Sequence, residues 1–419
     1  TDLSATSITD LSDVSFNSTS TTQGSGLIWN NTDKIWEPGT LTASITNTTT
    51  TTTTSNNAGW VDKAPVTNPA YRAFSQSASN GDGSKMYFVG GNPASTSTNN
   101  VWEYTLSTNS WTQLSPGGVS LPDVMQHSLV FYNNALYLFG GWNYAGTNKK
   151  TLHKLDLSPT TPVWSLISTN NAISARRDPR AVMWGSKLLI CMGHTNTNVK
   201  DLWQIDLDPL TPFTWTLLDD GSTLTTLRVQ YGVSLGVYQN KLSVVGMGSG
   251  TELNYAEYDL THSGTGSGWN EVTTTGNPSN RYNMAFTMVG DKLYLYGGSN
   301  NLGINEFYVL DVTTRVFTQI SSSISMPALV GCGLSAMDND AKLILCGRPD
   351  NVATGYTFEY TIPITTTTTT YNPVEINKLS TKYALSIGPN YDTASLDNSG
   401  SLIVEGNVGI GVADPSDCR

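Results

Sequence analysis

Six short apolar runs, each closed by glycine, recur along this chain. They are Lys85–Gly91 (KMYFVGG), Asn134–Gly141 (NALYLFGG), Lys187–Gly193 (KLLICMG), Lys241–Gly248 (KLSVVGMG), Lys292–Gly298 (KLYLYGG) and Lys342–Gly347 (KLILCG). The spacing is about fifty residues, and a fixed period of that size marks a fold built by repeating one supersecondary unit. A unit this short cannot bury its apolar faces alone. The copies must therefore stack or close into a ring.

The fifth unit shows the content of the repeat most clearly. Strand a is read over Asn283–Val289, a turn falls at Gly290-Asp291, strand b covers Lys292–Tyr296, strand c Asn305–Asp311 and strand d Val316–Ile320. The a–b turn is Asn-, Asp- and Gly-rich in other units too: Asn80–Gly83, Asn133-Asn134, Gln239-Asn240 and Asp338–Asp340. Those residues accept the positive φ angles of tight hairpins. Strand d opens on Trp111, Trp164, Trp215 and Trp269, with Phe317 in the fifth unit. Short alternating strands without helical periodicity predict an all-β chain.

The double glycine after strand b, the Tyr- or Asp-bearing strand c and the Trp of strand d together resemble the kelch repeat. That resemblance implies a β-propeller with four-stranded antiparallel blades. The sixth unit lacks a strand d, and a strand-d-like piece, Gly59–Asp62 (GWVD), precedes the first unit. The expectation is a six-bladed propeller over residues 59–362, closed by this N-terminal strand so that no sheet edge is left open.

Extended β arms are expected on either side. Residues 1–40 form an N-terminal arm, with Gly26–Trp29 set against Lys34–Glu37 as a hairpin. Residues 41–58 and 363–371 read as Thr-rich linkers that stay extended and solvated, and 372–419 as a C-terminal β tail. Leu11–Val14 (LSDV), Gly26–Asn30 (GLIWN) and Trp36 resemble a hairpin module of phage and viral tail-fibre proteins. Gly400–Gly411 (GSLIVEGNVGIG) resembles the collar of such fibres. The arms contain the sequons at Asn17, Asn30 and Asn47, expected N-glycosylation sites. Thr48, Thr49, Thr50, Thr51, Thr52, Thr53 and Thr54, with Thr365, Thr366, Thr367, Thr368, Thr369 and Thr370, are candidates for O-linked sugars. Removal of a secretory signal before Thr1 and cleavage after Arg419 would fit the two ends, and so would a fragment of a longer chain.

The net charge of −11, with 13% charged residues, argues against a nucleic-acid or anionic-membrane surface. No apolar run is long enough to span a bilayer. Four cysteines give no zinc spacing. Cys332 and Cys346, on strands a and b of one blade, read either as a cross-strand disulfide or as two buried thiols. Cys191 reads as unpaired, and Cys418 is a candidate for an intermolecular bond.

Arg72, Arg176 and Arg281 share one register ahead of strand b, where the other units are read as holding Val124, Gln230 and Gly331. Two roles compete for them: an anion- or sugar-binding ring at a channel mouth, or hydrogen bonds to neighbouring loop carbonyls. Trp142-Asn143-Tyr144 offers aromatic faces for stacking on sugars. The Asn80–Gly83 turn is explained by hairpin chemistry and lacks the further carboxylates of a calcium loop. The four histidines share no spacing, and neither catalytic residues nor a cofactor are expected. The reading is a structural subunit of an extracellular filament, fibre or virion appendage, self-associating through strand exchange of its arms. The alternative is an adhesin-like propeller recognising glycans or proteins.

Overall fold

The computed structural model describes residues 25–30, 35–40, 48–54, 59–69, 73–92, 98–171, 173–208, 212–228, 232–347, 355–363, 365–371, 394–396 and 402–404. They fall into two units, residues 55–364 and the two flanks, 1–54 with 365–419.

The larger unit is a six-bladed β-propeller. In chain order, strand a of blades 1 to 6 is Gln76–Ser79, Ser128–Tyr132, Arg180–Trp184, Ser234–Tyr238, Ala285–Val289 and Gly333–Met337. Each pairs antiparallel with its strand b, then c, then d, as in the order of blade 5: Ala285–Val289, Lys292–Tyr296, Phe307–Asp311, Val316–Ile320. The tight a–b turns behave as their residues dictate. Asn133 and Asn134 have φ of 46° and 53°, and Gln239 and Asn240 have 46° and 61°.

Blade 6 takes its outer strand from the other end of the sequence. Gly59–Asp62 pairs antiparallel with Tyr356–Thr361, Trp60 opposite Tyr360 and Gly59 opposite Thr361. The seam is stitched further by the Trp111 indole N–H, which donates to the Thr357 hydroxyl at 2.9 Å. Closure of this kind leaves the ring with no first and last blade.

The core lies between adjacent blades. The strand-d aromatics Trp60, Trp111, Trp164, Trp215, Trp269 and Phe317 are all buried. Trp60 of blade 6 meets Tyr296 and Phe307 of blade 5, with ring centroids 5.8 and 5.0 Å apart. Trp215 of blade 3 meets Phe139 of blade 2 at 5.3 Å. The repeat of an aromatic at this place is thus a repeat of one inter-blade joint.

The double glycine has a specific cause. The N–H of the second glycine donates to a carbonyl of the next blade: Gly91 to Val124, Gly141 to Arg176 and Gly298 to Leu329, at 2.8 to 2.9 Å. The first glycine lies against that same carbonyl. A Cβ on Gly90 would sit 2.5 Å from the Val124 oxygen, and one on Gly297 2.5 Å from that of Leu329. Both glycines also hold positive φ, 64° and 70°.

Cys332 and Cys346 do not form a disulfide. Gly333 pairs with Cys346, which sets Cys332 one step out of register and on the opposite face of the sheet. Cys332 packs in the cluster shared with blade 5, and Cys346 in the cluster shared with blade 1.

In the flanking unit Ser25–Asn30 pairs with Ile35–Thr40, and Ala394–Leu396 with Leu402–Val404. The two Thr runs are extended, as their composition demands, but they are not separate linkers. Thr48–Thr54 pairs with Thr365–Tyr371 in a continuous antiparallel ladder, from Thr48 opposite Tyr371 to Thr54 opposite Thr365. Thr has high strand propensity and no apolar bulk to bury, so backbone pairing is the interaction open to it. Asn17, Asn47 and Cys418 lie outside the described residues, and Asn30 ends the first strand.

Candidate site at the channel mouth

Strand a of all six blades lines a central cavity of ≈ 250 Å³. Its walls mix apolar side chains, among them Val130, Val182, Leu235, Met288 and Leu334, with the polar Gln76, Ser77, Thr287 and Ser335. One residue stands two positions before strand a in all six blades: Phe74, Gln126, Asp178, Gly232, Asn283 and Gly331. All six hold positive φ, between 52° and 82°. The chain here turns back into the ring, and the turned backbone bonds along it. Gln126 N–H donates to the Phe74 carbonyl, Asp178 N–H to that of Gln126 and Gly331 N–H to that of Asn283, at 2.7 to 2.9 Å. Asn and Asp tolerate this backbone region better than most side chains. The fold's demand on φ therefore delivers polar groups to the mouth of the channel.

Arg180 completes this site. It opens strand a of blade 3 and is fully buried. Its Nε donates to the Val233 carbonyl of blade 4 at 3.0 Å, and its Nη2 to Asn283 Oδ1 of blade 5 at 3.3 Å. The Gln126 amide donates to Asp178 Oδ2 at 2.9 Å. Asp178, Asn283 and His127 are buried as well. Burial pushes the Asp178 carboxyl up to about 6, against the opposing charges of Arg180 and Arg177. Burial, reinforced by the Arg180 charge, holds the His127 imidazole down at about 3, so it is neutral at physiological pH. Several polar atoms here have no partner: Asp178 Oδ1, Arg180 Nη1, both His127 nitrogens and the Ser234 hydroxyl. Buried polar atoms are normally satisfied, so these have capacity for water or ligand atoms.

An aromatic ledge is joined to this ring through the backbone. Trp142, directly after the double glycine of blade 2, exchanges two backbone hydrogen bonds with Met125, the neighbour of Gln126. Trp142 and Tyr144 rings lie 6.1 Å apart. The Arg177 guanidinium sits 5.8 Å from the Trp142 ring, a cation–π contact. Arg177 in turn exchanges backbone bonds with His194. Tyr144 is 50% exposed. The ledge thus offers aromatic faces and a cation beside a mouth holding a carboxyl and a second guanidinium. Among the described residues, no group of three or more His, Cys, Asp or Glu converges to hold a metal ion.

The two described arginines of this register, Arg176 and Arg281, are engaged within their own blades. Arg176 is fully buried and its guanidinium is spent on its own blade. It donates to both Asp201 oxygens at 2.6 and 2.9 Å, to the Met192 carbonyl at 3.0 Å and to Ser174. Arg281 repeats the arrangement in blade 5, donating to the Ser279 carbonyl and hydroxyl at 3.0 and 2.9 Å and to Glu306 at 2.5 Å. Each guanidinium ties the approach of strand a to the following strands. Arg72 lies outside the described residues, as does Gln230. Two of the matching positions also differ from the sequence reading. The carbonyl that meets the double glycine of blade 5 belongs to Leu329, not Gly331. In blade 4 the equivalent of His194, seven residues after the strand-b lysine, is Gly248, and its pairing with Leu227 puts Thr226 at the Arg176 position.

The Trp142–Tyr144 ledge was visible in the sequence. The Gln126, Asp178, Arg180 and Asn283 cluster was not. Its one signal is the spacing: Gln126 and Asp178 fall one repeat apart, in polar stretches ahead of strand a that read as ordinary loop.

A six-bladed propeller with this glycine, Tyr and Trp pattern is a kelch-type interaction scaffold. The comparisons agree: the family model described as the KLHDC2/KLHL20/DRC7 Kelch-repeats domain matches residues 38–248, half of the chain, and a Kelch motif model matches residues 280–323. The chain belongs to the kelch-repeat family. Among curated proteins it is similar to acyl-CoA-binding domain-containing protein 4 of Arabidopsis thaliana, 24% identical over 50% of this chain and 33% of that protein. It is also similar to serine/threonine-protein phosphatase BSL2 of the same plant, 24% identical over 60% of this chain and 25% of that one. The chain therefore spans a quarter to a third of the length of these relatives. Kelch propellers serve protein binding and recognition and are typically without catalytic activity.

Proposed function

We propose that this protein is a non-enzymatic recognition module that grips a protein partner at the face carrying the polar mouth and the Trp142–Tyr144 ledge. The observation that carries the reading is the conjunction at one place of unpartnered buried polar atoms and a half-exposed aromatic ledge with its own cation. Aromatic and arginine side chains are the residue types that dominate binding energy at protein interfaces. The test compares the wild-type chain with Trp142→Ala/Tyr144→Ala/Arg177→Ala on a displayed-peptide library and a glycan array. Peptide ligands bound by the wild type and lost in the variant support it. Hits confined to glycans favour the adhesin reading, and hits unchanged in the variant refute this face.

A second reading has its own observation in favour. The protein would be a structural subunit of an extracellular filament, fibre or virion appendage, in keeping with the resemblance of both arms to tail-fibre segments. It would assemble by strand exchange, with sugars on the Thr runs and on the sequons at Asn17, Asn30 and Asn47. In its favour, the two Thr runs meet in a two-stranded ribbon instead of leading away separately. Electron microscopy of the purified chain, showing rods that lengthen with concentration or only single particles, decides it.

A further inference from the structure

We infer that the Thr ribbon is an adhesive sheet edge, through which one copy of this chain pairs with the ribbon of a second copy. The inference rests on the filament reading and names the surface that reading would use.

Among the described residues the ribbon holds two strands. In an antiparallel pair each strand turns its backbone groups alternately toward its partner and away. A seven-residue strand such as Thr48–Thr54 therefore leaves about three N–H and three C=O groups facing outward. Both edges of the ribbon are of this kind.

Natural sheets guard such edges with charges, prolines, bulges or a covering segment. The propeller does so. The outer strand of blade 2, Val163–Ile167, is covered in parallel by Gly117–Gly118. The outer strand of blade 5 is met by Thr275 at Val316, and that of blade 3 is preceded by the Asn170–Thr214 bridge. Each cover comes from the segment that links successive blades.

The ribbon has none of these guards in its own sequence. Its two strands contain Thr at every position except Tyr371, with no charge and no proline. The ladder runs from end to end without a bulge. An isolated two-stranded sheet is marginal in water, and stability comes with a third or fourth strand.

The composition also selects the partner. A strand of one residue type presents the same side chain whatever its register, so slippage carries no penalty of the usual kind. Such an edge has no charge or apolar pattern with which to recognise a foreign sequence. It matches another uncharged, strand-forming, register-tolerant edge, and each further copy of this chain carries two. Because pairing of one edge leaves the other open, growth continues past the dimer unless the edges pair only with their own kind.

The experiment is light scattering and sedimentation of the unglycosylated full chain over a hundredfold range of concentration. It is set beside Thr51→Pro/Thr368→Pro, which alters one opposed pair at the centre of the ribbon. Proline removes an N–H whichever way it points, so the substitution either blocks an edge or breaks the ribbon. The wild type is expected at twice the 45.1 kDa chain mass or more, with the average rising with concentration. The double variant is expected at one chain mass, with association weakened at least tenfold and propeller melting unchanged. Association that persists in the variant overturns this inference and leaves a filament built through the other arm segments. A wild type that stays at one chain mass overturns both.

Discussion

Replacing Gly297 by alanine separates two reasons for a glycine that are usually confounded. Gly297 and Gly290 both hold positive φ, 70° and 55°. A Cβ on Gly290, in the a–b turn, meets nothing within 4 Å. A Cβ on Gly297 would sit 2.5 Å from the Leu329 carbonyl oxygen and 3.3 Å from that of Ile304. Left-handed backbone costs an alanine about 1–2 kcal/mol at either position. Gly290→Ala should therefore lose about that much and no more. Gly297→Ala adds the displacement of a backbone carbonyl that accepts the Gly298 N–H at 2.9 Å. Overpacking of this kind adds about 1–3 kcal/mol, for a total of about 2–5 kcal/mol. Urea unfolding followed by Trp fluorescence reads both, with the m-value as the check that the folded ring is retained. Equal losses in the two variants would refute the claim that the double glycine exists to admit the next blade.

Trp60→Ala should cost about 3–5 kcal/mol, because it empties the buried joint between blades 5 and 6; a urea midpoint near wild type would show that the N-terminal strand does not close the ring. Arg176→Ala should destabilise by about 3–5 kcal/mol by leaving Asp201 without its bidentate partner. Binding to peptides or glycans should be unchanged, and loss of binding at full stability would restore the ligand-ring role. Asp178→Asn should reshape the pH dependence of stability. The Asp178 carboxyl is raised from 3.8 to about 6, so its favourable contribution is complete below pH 3.8 and is lost as pH rises through 6, an effect of about 3 kcal/mol at most. His127, depressed to about 3, acts oppositely: its contribution is present above pH 6.5 and lost as pH falls toward 3. The difference between wild type and Asp178→Asn, measured at pH 4 and pH 7, isolates the carboxyl, and a pH-independent difference would contradict its raised pKa.

The blade count, the closing strand and the aromatic joints could be read from the sequence because each is a repeated demand of one geometry. Gly140, Trp164 and their counterparts recur because most joints share the same close approach and the same wedge, although blade 3 sets Met192, at φ 63°, in the place of the first glycine. The roles of Arg176 and Arg281 could not be decided that way. Their partners Asp201 and Glu306 lie 25 residues further on in each case, but the sequence gives no sign that burial will bind arginine to carboxylate. Cys332 and Cys346 sit on adjacent strands, and only the register, with Gly333 opposite Cys346, places them on opposite faces. The pairing of the two Thr runs was hidden for a related reason: a single-residue pattern carries no register and so names no partner.

The channel mouth mixes residues the fold requires with one it does not. Gln126, Asp178 and Asn283 stand where the backbone must turn left-handed and bond along the ring. Their polar side chains follow from that need, and their loss would disturb the ring itself. Arg180 is different. The equivalent first position of strand a holds Gln76, Ser128, Ser234, Ala285 and Gly333 in the other blades, so the blade does not call for a long cation there. Yet this guanidinium is buried, bridges blades 4 and 5 and keeps one nitrogen without a partner. Burying a charge incompletely paired is costly, and a repeat fold with a serine or alanine available at the same place has no structural reason to do so. Arg180, more than the ring residues around it, is therefore the position at which this copy of the repeat departs from architecture. A partner or ligand at the mouth should depend on it first.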